Sequence, residues 1–354
     1  MEYFPPVPCT LNGSNISLNF IMKHQSFFNM KTPMKNVGRR EFFKKGAKVA
    51  AATTLLSSVH PGIRPEAIGK IKQPDIPDLI IDSHIHCGST DKWVEDMVRI
   101  YRPYQAMACV MTWSADMELM VDAIKSYPEL FIGYGRVNID DPNAIREIEQ
   151  FKKAGFVGMK FHSPRRNFDD PSYFEVYRLC EEYGMYMIFH TGISSRKIQD
   201  EPSRTSSSRM RPMYLDTLCR AFPRAKIQGA HLGNPWYEEA AEAARWNPNL
   251  FFDVTGSTLF KFIKLGRLER MSEILWWSSK EGENNPHTLK DGPGAWEHIV
   301  FGTDEAPEGL PGNIGRFSQM LDANHVPESS RRKMWGETMA VNLGIDPKTR
   351  KFIK

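Results

Sequence analysis

The chain has 354 residues and a mass of 40.6 kDa, room for one large domain or two ordinary ones. A hydrophobic fraction of 41% and a charged fraction of 25% exclude wholesale disorder and collagen-like repetition. No apolar run approaches the ~18 residues of a membrane span, and the mean hydropathy is −0.44. The net charge of +4 is unevenly spread. Residues 1–70 carry ten Lys/Arg against three acids, so the rest of the chain sums to −3 and has no basic excess to suggest a nucleic-acid partner. Cys9 falls in that basic segment. Cys87, Cys109, Cys180 and Cys219 form no CxxC pair, and a body of this size buries a core without disulfides.

Taken in chain order, residues 1–70 read as a leader and 71–354 as one folded domain. Gly38-Arg39-Arg40-Glu41-Phe42-Phe43-Lys44-Lys45 precedes a weakly apolar run over 47–56. This resembles a bacterial twin-arginine export signal, which implies the twin-arginine export machinery as a partner, periplasmic localisation and no membrane anchor in the mature form. Residues 1–33 fit that signal poorly, so Met34 is the expected start, with cleavage near residues 58–70. The competing reading is a basic amphipathic first helix.

From Asp78 onward short β-rich runs alternate with helical stretches, the pattern of βα units around a parallel sheet. The predicted strands are 79–86, 106–112, 131–138, 156–162, 185–191, 226–232, 250–256 and 299–304, with helices over 142–154, 171–183, 213–222 and 236–246 between them. Eight strands in about 280 residues predict a (β/α)8 TIM barrel, a single catalytic domain after the leader. A doubly wound sheet lacks support, because no Gly-rich phosphate loop follows the first strand. Loops 192–212 and 278–295 are expected over the active face.

In such a barrel the C-terminal ends of the strands converge. Strand one ends Asp82-Ser83-His84-Ile85-His86, where a period of two predicts Asp82, His84 and His86 on one face. Strand four ends in Lys160-Phe161-His162, strand five in His190, strand six in His231 and strand eight in Asp304. A lone histidine is more often a core residue than a ligand. Three strands ending in His, with Asp on the last, point instead to a divalent metal, and imidazole with carboxylate suits zinc.

The segments Ile81-Asp82-Ser83-His84-Ile85-His86, Ile188-Phe189-His190-Thr191-Gly192, Ala230-His231-Leu232-Gly233 and Phe301-Gly302-Thr303-Asp304 resemble the amidohydrolase superfamily. The likeness lies near the amidohydrolase-related branch that includes aminocarboxymuconate-semialdehyde decarboxylase, and it runs from about Asp78 to Gly344. It implies one divalent ion, zinc first, held by His84, His86, His190 and Asp304. His231 becomes the acid/base group and Asp304 both ligand and proton acceptor. In binuclear members a strand-four lysine is carbamylated, so three readings of Lys160 stay open. It bridges two metals as a carbamate, it is a cation facing a substrate carboxylate, or it is a strand-end lysine reaching solvent. His162 and Arg136 are further candidates for contact with substrate. Asp82 is expected as either a partner behind the ligands or a buried structural acid. Cys87 is expected as a small apolar wall residue, and Trp276-Trp277 as a buried aromatic pair, with a roof over the pocket as the alternative.

The expected activity is hydrolysis of an amide, lactone or ester-like bond in a small molecule through a metal-bound water. The alternative is non-oxidative decarboxylation of a small carboxylic acid at the same site, which two or more cations beside the metal would favour. A catalytically inert barrel used for binding is the reading from a different class. A homodimer is the expected assembly.

Overall fold

The computed structural model describes residues 77–195, 206–279 and 286–353. The predicted leader, with its twin-arginine segment, lies outside them. Eight strands form one parallel sheet in sequential order: β1 (Ile80–His86), β2 (Ala106–Trp113), β3 (Phe131–Arg136), β4 (Gly158–Phe161), β5 (Tyr186–Phe189), β6 (Ile227–Gly229), β7 (Leu250–Asp253) and β8 (Ile299–Val300). Helices α1 (Asp91–Tyr101), α2 (Met117–Ser126), α3 (Ala144–Lys153), α4 (Phe174–Glu182), α5 (Met213–Ala221), α6 (Tyr237–Trp246) and α7 (Ser257–Lys264) follow β1 to β7 in turn. A short helix α8 (Arg270–Ile274) precedes β8, and α9 (Leu310–Ala323) follows it. The barrel all but closes where Ser83 N donates to Phe301 O at 3.0 Å and Asp304 N to His84 O at 2.7 Å. No described helix is long and apolar enough to cross a membrane.

Two apolar layers hold this arrangement. Ile81, Met107, Cys109, Met111, Ile132, Tyr134, Tyr186, Ile188, Phe251 and Val300 fill the barrel interior. Residues offset by one on the same strands, such as Ile80, Ala108, Val110 and Phe131, pack outward against the helices. The helices begin and bury themselves for local reasons. In α1 the Thr90 side chain caps the Trp93 N–H, Asp91 and Arg99 suit the two ends of the dipole, and Met97 and Tyr101, four apart, are buried.

The structure departs from the predicted alternation in β1. Asp82 pairs with Ala108 and Ile85 with Val110, so β1 carries one residue more than β2 across this step. This β-bulge turns both Ser83 and His84 toward the interior and leaves Asp82 on the outer side, not on the histidine face. There the Asp82 carboxylate accepts from Tyr101 Oη at 2.6 Å, Thr303 Oγ1 at 2.7 Å, and the backbone N–H groups of His84 and Thr303 at 3.0 Å. Burial pushes this carboxyl up to about 6 in spite of those bonds. Asp82 is thus the structural acid, and it ties β1 to the segment that carries Asp304.

A second departure concerns the seventh loop. Trp277 lines a cavity of about 380 Å³ together with Pro248 and His298, which precede β7 and β8. It lies at the N-terminal ends of the strands, because α7 and α8 have already carried the chain back down the barrel. Trp276 and Trp277 are therefore not a roof, and the part of 278–295 that is described is not over the active face. Cys87 is half-buried against the outer layer, as a wall residue should be.

Replacing Asp82 with Ala would leave two buried N–H groups and the Tyr101 hydroxyl without an acceptor, and the Thr303 hydroxyl with only the His84 carbonyl at 3.5 Å. At about 1–3 kcal/mol for each unsatisfied group, the expected loss is at least ~3 kcal/mol. It should be read as a lower denaturant midpoint with an unchanged m-value.

Candidate metal centre

The C-terminal strand ends bring three of the predicted ligands together. His86 Nε2 lies 3.2 Å and His84 Nε2 3.5 Å from Asp304 Oδ1, and the three form one metal-competent group. It opens toward solvent, with the His86 and Asp304 side chains 34% and 22% exposed. A second group, His84, His231 and Asp253, lies deeper. Its carboxylate is already saturated, because Asp253 accepts from His84 Nδ1, Gln228 Nε2, the backbone N–H groups of His231 and Thr255, and the Thr255 hydroxyl. We read the first group as the ion site and the second as its support. Asp253 was missed in the sequence. Its signal was an acid within predicted strand seven, level with Val300 on strand eight.

Asp253 settles which nitrogens carry protons. The carboxylate only accepts, so His84 donates from Nδ1 at 3.1 Å and keeps the lone pair of Nε2. The Thr255 hydroxyl gives its proton to Asp253 at 2.6 Å and so accepts from His231 Nδ1 at 2.8 Å. His231 Nε2 therefore also bears a lone pair, which accepts from His190 Nδ1 at 3.2 Å. His190 Nε2 is then left unprotonated, buried and without a hydrogen-bond partner. A buried imidazole lone pair with nothing to accept is what a metal ligand looks like without its ion. His190 lies beside the His84, His86 and Asp304 group rather than within it, linked through His231, whose Nε2 is 3.8 Å from Asp304 Oδ2.

The electrostatics fit a divalent ion. Burial pushes His86 and His231 down to about 4 and His190 well below its ordinary value. Burial opposes ionisation of Asp304, but the neighbouring imidazoles outweigh it and hold the carboxyl well below the usual range. Neutral imidazoles facing an ionised carboxylate are the protonation states a metal requires.

Lys160 and Arg136 complete the wall. The register pairs Trp113 with Arg136 and Arg136 with Lys160, so all three stand side by side. Lys160 is fully buried, which removes the solvent-reaching reading, and donates from Nζ to His84 Nε2 at 3.1 Å. Burial lowers its ammonium to about 8. Arg136 donates to His86 Nδ1 at 3.0 Å and stacks on Trp113 at 4.3 Å. His162 packs on His190 with ring centroids 4.1 Å apart, and burial pushes it down to about 3. Of loop 192–212, residues 192–195 and 206–212 are described, and Arg211 pairs there with Glu239; residues 196–205 lie outside the described residues.

The backbone is strained here. His231 (φ 63°), Leu232 (φ 48°) and Asp304 (φ 49°) are left-handed, a conformation costing a non-glycine residue roughly 1–2 kcal/mol. The turn at His231 ends β6 at Gly229, three residues before its predicted end, and swings the ring over Gly256, where a Cβ would lie 2.9 Å from His231 Nδ1. His231 and Asp304 are thus both held in a local geometry that a sequence would not choose unaided.

Fold and site together define a parallel-barrel protein with a metal-competent centre at the C-terminal strand ends. A sequence profile of the amidohydrolase family matches residues 81–338, and the chain belongs to that family. Its members depend on metal and include hydrolases and decarboxylases. No curated protein matches the chain. Among solved structures it is similar to an uncharacterised TIM-barrel protein from Bordetella bronchiseptica, at 14% identity and a TM-score of 0.54, over 75% of this chain and 99% of that one. It also matches a 5-carboxyvanillate decarboxylase from Novosphingobium aromaticivorans at 12% identity and a TM-score of 0.49, over 75% and 97% of the two chains.

Replacing Asp253 with Asn frees the His84 tautomer, and metal affinity should fall about 10–100-fold in a chelator competition. The Lys160 proton and a metal ion compete for the same His84 lone pair. Metal affinity should therefore rise as pH increases through about 8, and Lys160→Met should flatten that rise.

Proposed function

We propose that the chain is a metal-dependent hydrolase that cleaves an amide, lactone or ester-like bond in a small molecule. The carrying observation is that His231 and Asp304 face each other across the candidate ion site with their protons already assigned. His84, His86, His190 and Asp304 would hold one divalent ion, and the nitrogen and carboxylate donors favour zinc. When bound, such an ion acidifies water and polarises a carbonyl. The chain's own groups handle the protons. Asp304 presents Oδ1 to the two β1 histidines and Oδ2 to His231, so one oxygen is available for an ion and the other for a proton. His231 Nε2 accepts from His190 Nδ1 and would give up that bond to take a proton, while Thr255 and Asp253 keep Nδ1–H fixed. It can accept a proton there and return it to a leaving group.

Decarboxylation of a small carboxylic acid is the second reading, favoured by two cations, Lys160 and Arg136, within hydrogen-bond distance of the β1 histidines. The leader supports export to the periplasm through its sequence alone, and a homodimer is proposed on general grounds.

His231→Ala should keep its metal and lose about 10²–10⁴-fold in turnover of activated esters or simple lactones. Loss of metal along with activity would make His231 a ligand and count against its role as base. Release of CO2 from small aromatic acids, without ester or lactone hydrolysis, would replace the hydrolase reading with the decarboxylase one.

A further inference from the structure

The ring of His231 is carried on a backbone that needs holding. His231 (φ 63°), Leu232 (φ 48°) and Gly233 (φ 66°) are left-handed in succession, and only the glycine takes that conformation without cost. Such a run persists where its surroundings over-determine it. Two donors close on the His231 carbonyl: the Thr258 hydroxyl at 2.7 Å and the Asn234 backbone N–H at 3.1 Å.

Asn234 is anchored in turn by its side chain. Tyr237 Oη at 2.6 Å and Lys261 Nζ at 3.1 Å both donate to its Oδ1. An ammonium only donates, so the amide is fixed with Nδ2 toward Ser257 Oγ, 2.6 Å away. Its backbone carbonyl accepts from Ile193 N at 2.8 Å, three residues beyond His190. One half-buried residue thus joins the turn after β6 to α7 and to the segment after β5. The fit is close, since a Cβ on Gly192 would run into Asn234 O.

We propose that Asn234 is the positioning residue for His231: its side chain pins the left-handed turn to α7 and so sets where the ring stands beside Asp304. None of its side-chain bonds goes to His84, His86, His190 or Asp304. It acts on the proton-handling group without touching the candidate ligands. This rests on the reading of His231 as the acid/base group, and it adds the residue that aims it.

Two variants of the full chain test it. Asn234→Ala loses all three side-chain contacts and keeps the backbone bonds. Asn234→Asp keeps all three, because one oxygen still faces Lys261 and Tyr237 while the Ser257 hydroxyl turns to donate to the other. Without metal, amide hydrogen exchange over residues 230–236 should quicken at least about tenfold in Asn234→Ala, stay unchanged over β2, and return close to wild type in Asn234→Asp. With zinc bound and 4-nitrophenyl acetate as the probe, kcat should fall about 10–10²-fold in Asn234→Ala and recover in Asn234→Asp. KM and zinc affinity should not change. Ser257→Ala removes one contact and should lose about threefold in kcat; it decides the matter if Asn234→Ala does not fold. Wild-type exchange over 230–236 in Asn234→Ala overturns the proposal. So does a fall in zinc affinity to match the fall in kcat, which would make Asn234 a general support of the site. Full turnover in His231→Ala overturns the acid/base reading and the proposal with it, even where exchange shows Asn234 holding the turn.

Discussion

The site depends on one buried carboxylate. Asp253 touches no open space, yet its two oxygens collect five hydrogen bonds from His84, Gln228, His231 and Thr255. Because it can only accept, it fixes the His84 ring directly, the His231 ring through Thr255, and the His190 ring through His231. The imidazoles around it outweigh the cost of burying the charge and hold Asp253 far below the ordinary carboxylate range. His84, His190 and His231 thus inherit their tautomers from a residue behind them.

The second constraint is geometric. A regular β1 would present alternate residues, and with Ile81 packed inside the barrel it would turn His84 outward. The bulge between Asp82 and Ile85 lets Ser83 and His84 both face inward, and His86 follows on the same side. Asp82 stabilises that irregular backbone from outside by bonding to the His84 N–H and to Thr303, next to Asp304. One acid thus sets the rings and another sets the backbone that carries them, and both are out of reach of a substrate.

Much of this was legible in the sequence. Eight β-rich runs spaced by amphipathic helices specify a parallel barrel, because burial on both sides of the sheet leaves a strong periodic signal. Histidines at the ends of strands one, five and six, with Asp304 after strand eight, marked the site because strand ends converge in such a fold. What escaped is what periodicity does not encode. The bulge is a one-residue backbone event, so alternation put Asp82 on the wrong face. The roles of Asp253 and Thr255 depend on cross-strand hydrogen bonds between residues far apart in sequence. The direction of Arg136 needed its register with Trp113 and Lys160. The loop after strand seven was misplaced because the chain turns back through α7 and α8 before reaching it.

The central claim is that His84, His86 and Asp304, with His190 beside them, hold a single divalent ion. Elemental analysis of metal per chain, on the wild type and on Asp304→Ala, tests it most directly. The account predicts about one equivalent in the wild type and little or none in the variant. About two equivalents in the wild type would contradict it and make Lys160 a bridging ligand, whereas one equivalent retained without Asp304 would place the ion on other residues.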